Sequence, residues 1–212
     1  MEEVLDAQLQ KKLGMSFAEL KEVGFVNLPI RYDKYKDGGF RTPTGKIELY
    51  STRMKALGYD PLPYYEEPPE SPLSTPEVAR EYPLVLTTGA RIPFFFNSEH
   101  RQLRSLRKAH RDPIVEIHPD TAGPLGIVKG DWVWIETLRG KIQQKARITE
   151  DIDPRVVHVE HGWWFPEEPG PEHGVWKSNA NVLTRNDPPY DPAMGTYHLR
   201  GLLCRISRVV PH

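Results

Sequence analysis

A single cysteine, Cys204, stands among 212 residues. One thiol excludes an intrachain disulfide and any metal site made of cysteines alone, and it fits a reducing, cytoplasmic compartment. Neither sign of charge is in surplus: 28 Lys and Arg face 29 Asp and Glu, a formal net charge of -1. Binders of nucleic acid or of anionic membranes normally carry a basic excess, so neither partner is expected. Long apolar runs are missing as well. No stretch approaches the roughly 20 residues of a membrane-spanning helix, and the N-terminal MEEVLDAQLQKK is charged and helical in pattern, not signal-like. Gly-x-Ser-x-Gly elbows, Walker loops, Rossmann glycine patterns and internal repeats are also absent.

Proline is plentiful, at 21 residues, and marks many turns and strand ends. Val4, Leu5, Leu9 and Leu13 recur at helical spacing, and Ser16 with Glu19 forms a capping box opening a second short helix. GGFRTPTGKIELYS runs from a Gly/Pro turn into a predicted strand, KIELYS, where Ile47 and Leu49 alternate with polar neighbours. The proline-rich YDPLPYYEEPPESPLSTPEVAR reads as an extended connector. It places a boundary near residue 78, between an N-terminal extension over 1–78 and a folded domain over 79–212.

From Tyr82 onward the pattern is almost all β. YPLVLTTG, DPIVEIHP and VVHVEHGWW read as strands, GDWVWIETLRGKIQQKARITE as a hairpin turning at Leu-Arg-Gly, and LRGLLCRISRV as the closing strand. Short helices are predicted over 99–109 and 119–125. Short strands with Gly-marked corners favour one closed β-barrel over about 82–208, an α+β chain that is mainly β, rather than a doubly wound sheet. Cys204, among apolar neighbours in LLCRI, reads as a buried structural thiol.

One stretch, LTTGARIPFFFNSEHRQ, drives a strand into a glycine turn and then delivers a dense cluster of hydrogen-bonding groups. Together with IHPDTAGPLGIVKGDWVWIETLRGKIQQKARIT, HGWWFPE, SNANVLT and the closing LRGLLCRI, it resembles the C-terminal domain of the molybdopterin oxidoreductases, the dimethyl-sulfoxide-reductase superfamily. GGFRTPTGKIELYS is similar to the segment that usually precedes that domain, and the SEHRQ and GWWFPE features are nearest to anaerobic oxidoreductases and acetylene-hydratase-like proteins. The resemblance implies an aspartate-decarboxylase-like double-psi β-barrel that binds bis-(molybdopterin guanine dinucleotide) with molybdenum or tungsten. It implies that other domains of the same enzyme share the cofactor, and that any iron–sulfur cluster and the metal ligand lie in N-terminal regions not in this chain. The chain alone would be inactive. An electron-transfer subunit is a possible further partner; nucleic acid and direct membrane insertion are not expected.

On the same basis, Thr87, Thr88, Gly89 and Arg91 match a cofactor-gripping turn. A glycine there lets backbone amides approach a phosphate. Ser98, Glu99, His100 and Arg101 match a second half of that grip, and Asn181 and Arg200 match further contact positions, Arg200 standing where the family often has lysine. Phe94 to Phe96 read as core or interdomain packing, and His118 before Pro119 as a cap or surface residue. His158, His161 and His173 lie near Glu160, Glu167 and Glu172 but lack the spacing of a zinc site. Their loop, with Trp163, Trp164 and Trp176, reads as packing against absent domains.

Two rivals remain open on the residues alone. A self-processing barrel enzyme of the aspartate-decarboxylase type would need a Gly-Ser bond, which the sequence lacks. A stand-alone double-psi barrel serving as a protein-interaction module would have no use for the polar cluster at 87–101 and Asn181.

Overall fold

A computed structural model describes residues 2–90 and 92–210, and the chain divides into two compact units, 1–62 and 63–212. The first carries helices α1 (Glu2–Leu13), α2 (Phe17–Val23), α3 (Tyr35–Gly38) and α4 (Thr52–Ala56). The Ser16 hydroxyl accepts from the Glu19 amide, and the Glu19 carboxylate accepts in return from the Ser16 amide at 2.6 Å, so the capping box is present. Leu5, Leu9 and Leu13 face Phe17, Leu20 and Leu28 across a shallow apolar groove of about 420 Å³. No residue of these four helices is buried. KIELYS is irregular rather than a strand, with Ile47 70% and Leu49 83% exposed. A strand needs a partner for its peptide groups, and among the described residues this unit has no other strand.

The second unit begins at Pro63, upstream of the division expected near residue 78. Within the connector, STPEVAR is not extended: Pro76 sits at the first turn of α5 (Pro76–Glu81), where its missing N–H costs nothing. Six strands follow: β1 (Leu84–Ala90), β2 (Ile114–Ile117), β3 (Trp132–Glu136), β4 (Lys141–Ile148), β5 (Val156–Glu160) and β6 (Leu202–Arg208). They close into a barrel in the order β1-β5-β2-β4-β3-β6. The β1–β5 and β2–β4 pairs are parallel and the other four antiparallel. This is the expected double-psi barrel.

Strand alternation fills its interior. Leu86, Val115, Ile117, Val133, Ile135, Ile142, Val157, Val159, Leu202 and Cys204 are all at or below 1% exposure and form one cluster. Their neighbours along each strand point outward. The polar exception is Gln144, fully buried on β4. Its amide donates to the Glu160 and Ser178 carbonyls at 2.9 and 3.3 Å and accepts from the Glu160 N–H at 3.2 Å. Burial holds the Cys204 thiol well above its ordinary pKa, with Glu70 adding to the shift.

Helices α6 (Arg104–Ala109), α7 (Pro119–Ala122) and α8 (Val175–Ser178) are short. His118 caps α7, its Nδ1 accepting from the Asp120 N–H at 3.1 Å. The helix expected over 99–109 starts only at Arg104. His100 has a left-handed φ of 72°, which breaks any helix running through it.

Candidate functional site

Strand register gathers the site segments at one end of the barrel. Leu86 pairs with Leu202, so the end of β1 lies beside the start of β6. Ala90 pairs with Glu160, so β5 ends there as well. Glu136 pairs with Arg205 and with Lys141, which brings the β3–β4 turn to the same rim.

At the end of β1 the register slips between Thr88 and Ala90, leaving Gly89 as a bulge residue with φ 89°. A Cβ there would stand 3.0 Å from Arg200 Nη2, so the exposed Arg200 guanidinium lies directly over the bare glycine. The Thr88 hydroxyl is buried and donates to the Leu199 carbonyl at 2.7 Å, and Thr87 donates weakly to the Val157 carbonyl at 3.4 Å. Both threonine hydroxyls are thus engaged by backbone, and Thr88 ties down the segment that presents Arg200. Arg91 lies outside the described residues.

Asn181 follows Gln144 and Ser178 to this rim. The Ser178 hydroxyl donates to the Gln143 carbonyl at 2.6 Å, and Thr137 donates to the Leu183 carbonyl at 3.0 Å, pinning residues 178–183 to the barrel wall. Asn181 is exposed and lines a pocket of about 500 Å³ with Arg139, Thr184, Arg185, Tyr197 and Leu199. Through Leu199, this pocket adjoins Thr88 and Arg200.

Arg139 and Arg185 were not singled out in the sequence. Arg139 Nη2 pairs with the buried Glu70 carboxylate at 2.6 Å, and Arg185 Nη2 pairs with Asp187 at 2.8 Å. One further nitrogen of each, Arg139 Nη1 and Arg185 Nε, is a buried donor without a hydrogen-bond partner. Anchored guanidiniums with N–H groups to spare, an exposed amide and the exposed Arg200 guanidinium over a side-chain-free glycine together suit an anionic, hydrogen-bonding ligand such as a nucleotide phosphate. The signal for Arg185 was its place directly after SNANVLT, and for Arg139 its place in the tight Leu-Arg-Gly turn.

Ser98, Glu99 and His100 are exposed on a loop that packs against residues 161–164. Arg101 is not exposed at all: it turns inward, over the rings of Phe95 and Trp163 at 4.9 and 4.7 Å. Burial lowers its pKa to about 10, against an opposing effect of Glu160, so it stays charged at neutral pH. The Arg101 guanidinium, expected in the grip, is thus engaged inside the protein. Trp163 is fully buried with Phe95, Phe165 and Ile92, so it serves this unit's own core rather than an absent domain. Trp176, at 62% exposure, and Phe96, at 68%, do face outward.

The three histidines near HGWW go to three different partners: His158 to Glu116 at 3.2 Å, His161 to Asn97 Oδ1 at 3.2 Å and His173 to the Glu168 carbonyl at 2.6 Å. A second pocket, of about 450 Å³, lies on the outer barrel wall under Phe94, where His110 meets Glu160 at 3.0 Å and Arg147 pairs with Glu116.

Residues 84–202, more than half of the chain, match the family described as Molydopterin dinucleotide binding domain. Acetylene hydratase of Syntrophotalea acetylenica is 42% identical over 168 residues, covering 77% of this chain and 23% of that protein. Dopamine dehydroxylase of Eggerthella lenta is 43% identical over 84% of this chain and 18% of its own. The solved structure of acetylene hydratase from Pelobacter acetylenicus superimposes with a TM-score of 0.77 at 35% identity, over 92% of this chain and 28% of that one. The chain spans about a fifth to a quarter of the length of these curated relatives.

Proposed function

The chain belongs to the molybdopterin-dinucleotide-binding domains of the dimethyl-sulfoxide-reductase superfamily, and on that premise we propose how its residues serve the cofactor. Arg200 over Gly89, with Asn181, Arg139 and Arg185 in the adjoining pocket, holds the dinucleotide's phosphates and polar edges. Ser98, Glu99, His100 and Arg91 add contacts from the β1–α6 loop. The observation that carries this reading is the convergence of Gly89, Leu199–Arg200 and Asn181, distant in sequence, on one rim.

When bound, the molybdenum or tungsten centre supplies the redox chemistry. The chain's own residues bind and orient. Thr87 and Thr88 keep their hydroxyls on backbone carbonyls, so the turn does not have to reorganise when a ligand arrives. Gly89 adds no side chain of its own to the bulge, so the Arg200 guanidinium can lie against the backbone there. Two guanidiniums pre-tied to Glu70 and Asp187 lose little freedom on meeting an anion.

Other domains of the same enzyme complete the site, carry any iron–sulfur cluster and select the substrate. Relatives named for the hydration of acetylene, the dehydroxylation of dopamine and the reduction of dimethyl sulfoxide or trimethylamine N-oxide share this barrel. A part common to such different substrates serves the cofactor rather than the substrate. Residues 1–78 belong to the preceding domain and its connector, and 79–212 to the barrel. We place the enzyme in the cytoplasm, with an electron-transfer subunit as a further partner. No described helix is long and apolar enough to cross a membrane.

The test is the pterin and metal content of the purified holoenzyme, with metal analysis separating molybdenum from tungsten. Asn181→Ala combined with Arg200→Ala should cut retained pterin at least tenfold while leaving the fold intact. Unchanged stoichiometry in that double variant would sink the assignment.

A further inference from the structure

Arg101 is a charged side chain with no exposed surface. Burying a charge is costly unless partners compensate it. Here Nη1 donates to the Asn97 carbonyl at 2.7 Å and Nη2 to the His161 carbonyl at 3.4 Å, Nε has no hydrogen-bond partner, and the flat guanidinium lies against Phe95 and Trp163. The two carbonyls belong to different loops. One is the 97–100 turn that offers Ser98 and His100 to solvent; the other is the 161–164 turn after β5.

Three further contacts join the same two loops. Asn97 Oδ1 meets His161 Nε2 at 3.2 Å, and Trp164 Nε1 donates to the Ser98 carbonyl at 2.6 Å. Gly162, with φ 65°, sits so close that a Cβ would be 3.2 Å from the Asn97 carbonyl carbon and the Ser98 nitrogen. The 97–100 turn does not rest in a relaxed backbone: Asn97 and His100 both have left-handed φ values, 51° and 72°. Such residues keep that conformation only where their surroundings over-determine it. The surroundings here are Arg101 and the 161–164 loop.

We propose that Arg101 is a positioning residue: its buried guanidinium locks the 97–100 and 161–164 loops together and so fixes the orientation in which Ser98 and His100 are presented to the dinucleotide. This rests on the reading that the 97–100 loop faces the cofactor. A lysine keeps the charge but lacks the planar fork that reaches two carbonyls while stacking on two rings, so it restores only part of the lock.

The experiment compares holoenzyme of the wild type, Arg101→Lys and Arg101→Met by pterin retained during prolonged dialysis and by amide exchange, loaded and stripped of cofactor. Exchange at 97–100 and 161–164 should rise at least tenfold in Arg101→Met and about threefold in Arg101→Lys, with pterin loss accelerating in the same order and β2 and β4 amides unchanged. Wild-type exchange and retention in Arg101→Met overturn the proposal. So does a fall in β2 and β4 protection in both variants, which would make Arg101 a general core residue. If Arg101→Met does not fold, Arg101→Lys decides the same question alone. Should wild-type 97–100 amides exchange equally with and without cofactor, the cofactor-facing reading fails, while the loop lock is still judged from the stripped variants.

Discussion

Arg200 covers Gly89: the guanidinium Nη2 stands 3.0 Å from where a Gly89 Cβ would be. Any side chain at that position must displace the arginine and also adopt a φ of 89°. We expect Gly89→Val to cost about 1–3 kcal/mol of stability and to abolish cofactor retention while far-UV circular dichroism still reports a folded barrel. Retention of wild-type pterin by this variant would separate the bulge from the site.

Glu70 is buried, and its carboxylate accepts from the Leu203 N–H at 2.8 Å and from Arg139 at 2.6 Å. Arg139→Met leaves that charge in place without its ion partner, a loss of about 3 kcal/mol in urea titration. Adding Glu70→Gln to Arg139→Met should recover part of it, giving a coupling of about 1–3 kcal/mol in the double-mutant cycle. Additive losses would show that the two side chains are not coupled.

Cys204 is fully buried, and burial keeps its thiol protonated far above neutral pH. Reaction with a thiol reagent should therefore follow global unfolding, with a native rate below the denatured rate by orders of magnitude. Fast labelling of the native protein would mean that β6 opens locally.

Asp153 is held down to a pKa of about 2 by hydrogen bonds from the Arg155 side chain and amide. A depressed carboxylate contributes stability that is present above its unfolded value and lost as pH falls through the folded one. The relevant window thus runs from near 4 down to about 2. Carboxyl NMR shifts should show Asp153 titrating near the bottom of that window in the wild type and moving up in Arg155→Met. An unmoved titration would remove Arg155 as the cause.

Residues 2–62 bury none of their helical side chains. Their amides should exchange orders of magnitude faster than those of β2 and β5, approaching unprotected rates when the chain is studied alone. Equal protection in both regions would show that this unit is stable without further partners.

The barrel was legible because its causes are local. Alternation in VLTT, IVEI, WVWI and VVHV fixes which side chains enter a shared interior, and the capping box at Ser16 and Glu19 fixes a helix start. Where a local pattern needed a distant partner, it failed. KIELYS has the alternation of a strand, but no second strand of its unit completes the peptide hydrogen bonds.

The site divides in the same way. The resemblance carried by the sequence motifs supplied Gly89, Asn181 and Arg200 as contact positions, and bare backbone, amide and guanidinium are groups a dinucleotide can use. Tertiary structure decided which groups are free to act. Thr88 and Arg101 carry suitable donors, yet the fold engages them internally, through Leu199 for one and through Asn97, His161, Phe95 and Trp163 for the other. The Arg139–Asn181–Arg185 pocket exists only because a hairpin turn and the segment after α8 meet on one rim. A residue's chemistry is written in its identity, but whether its donors point at a ligand or at the protein's own backbone depends on the three-dimensional path of segments far away in the chain.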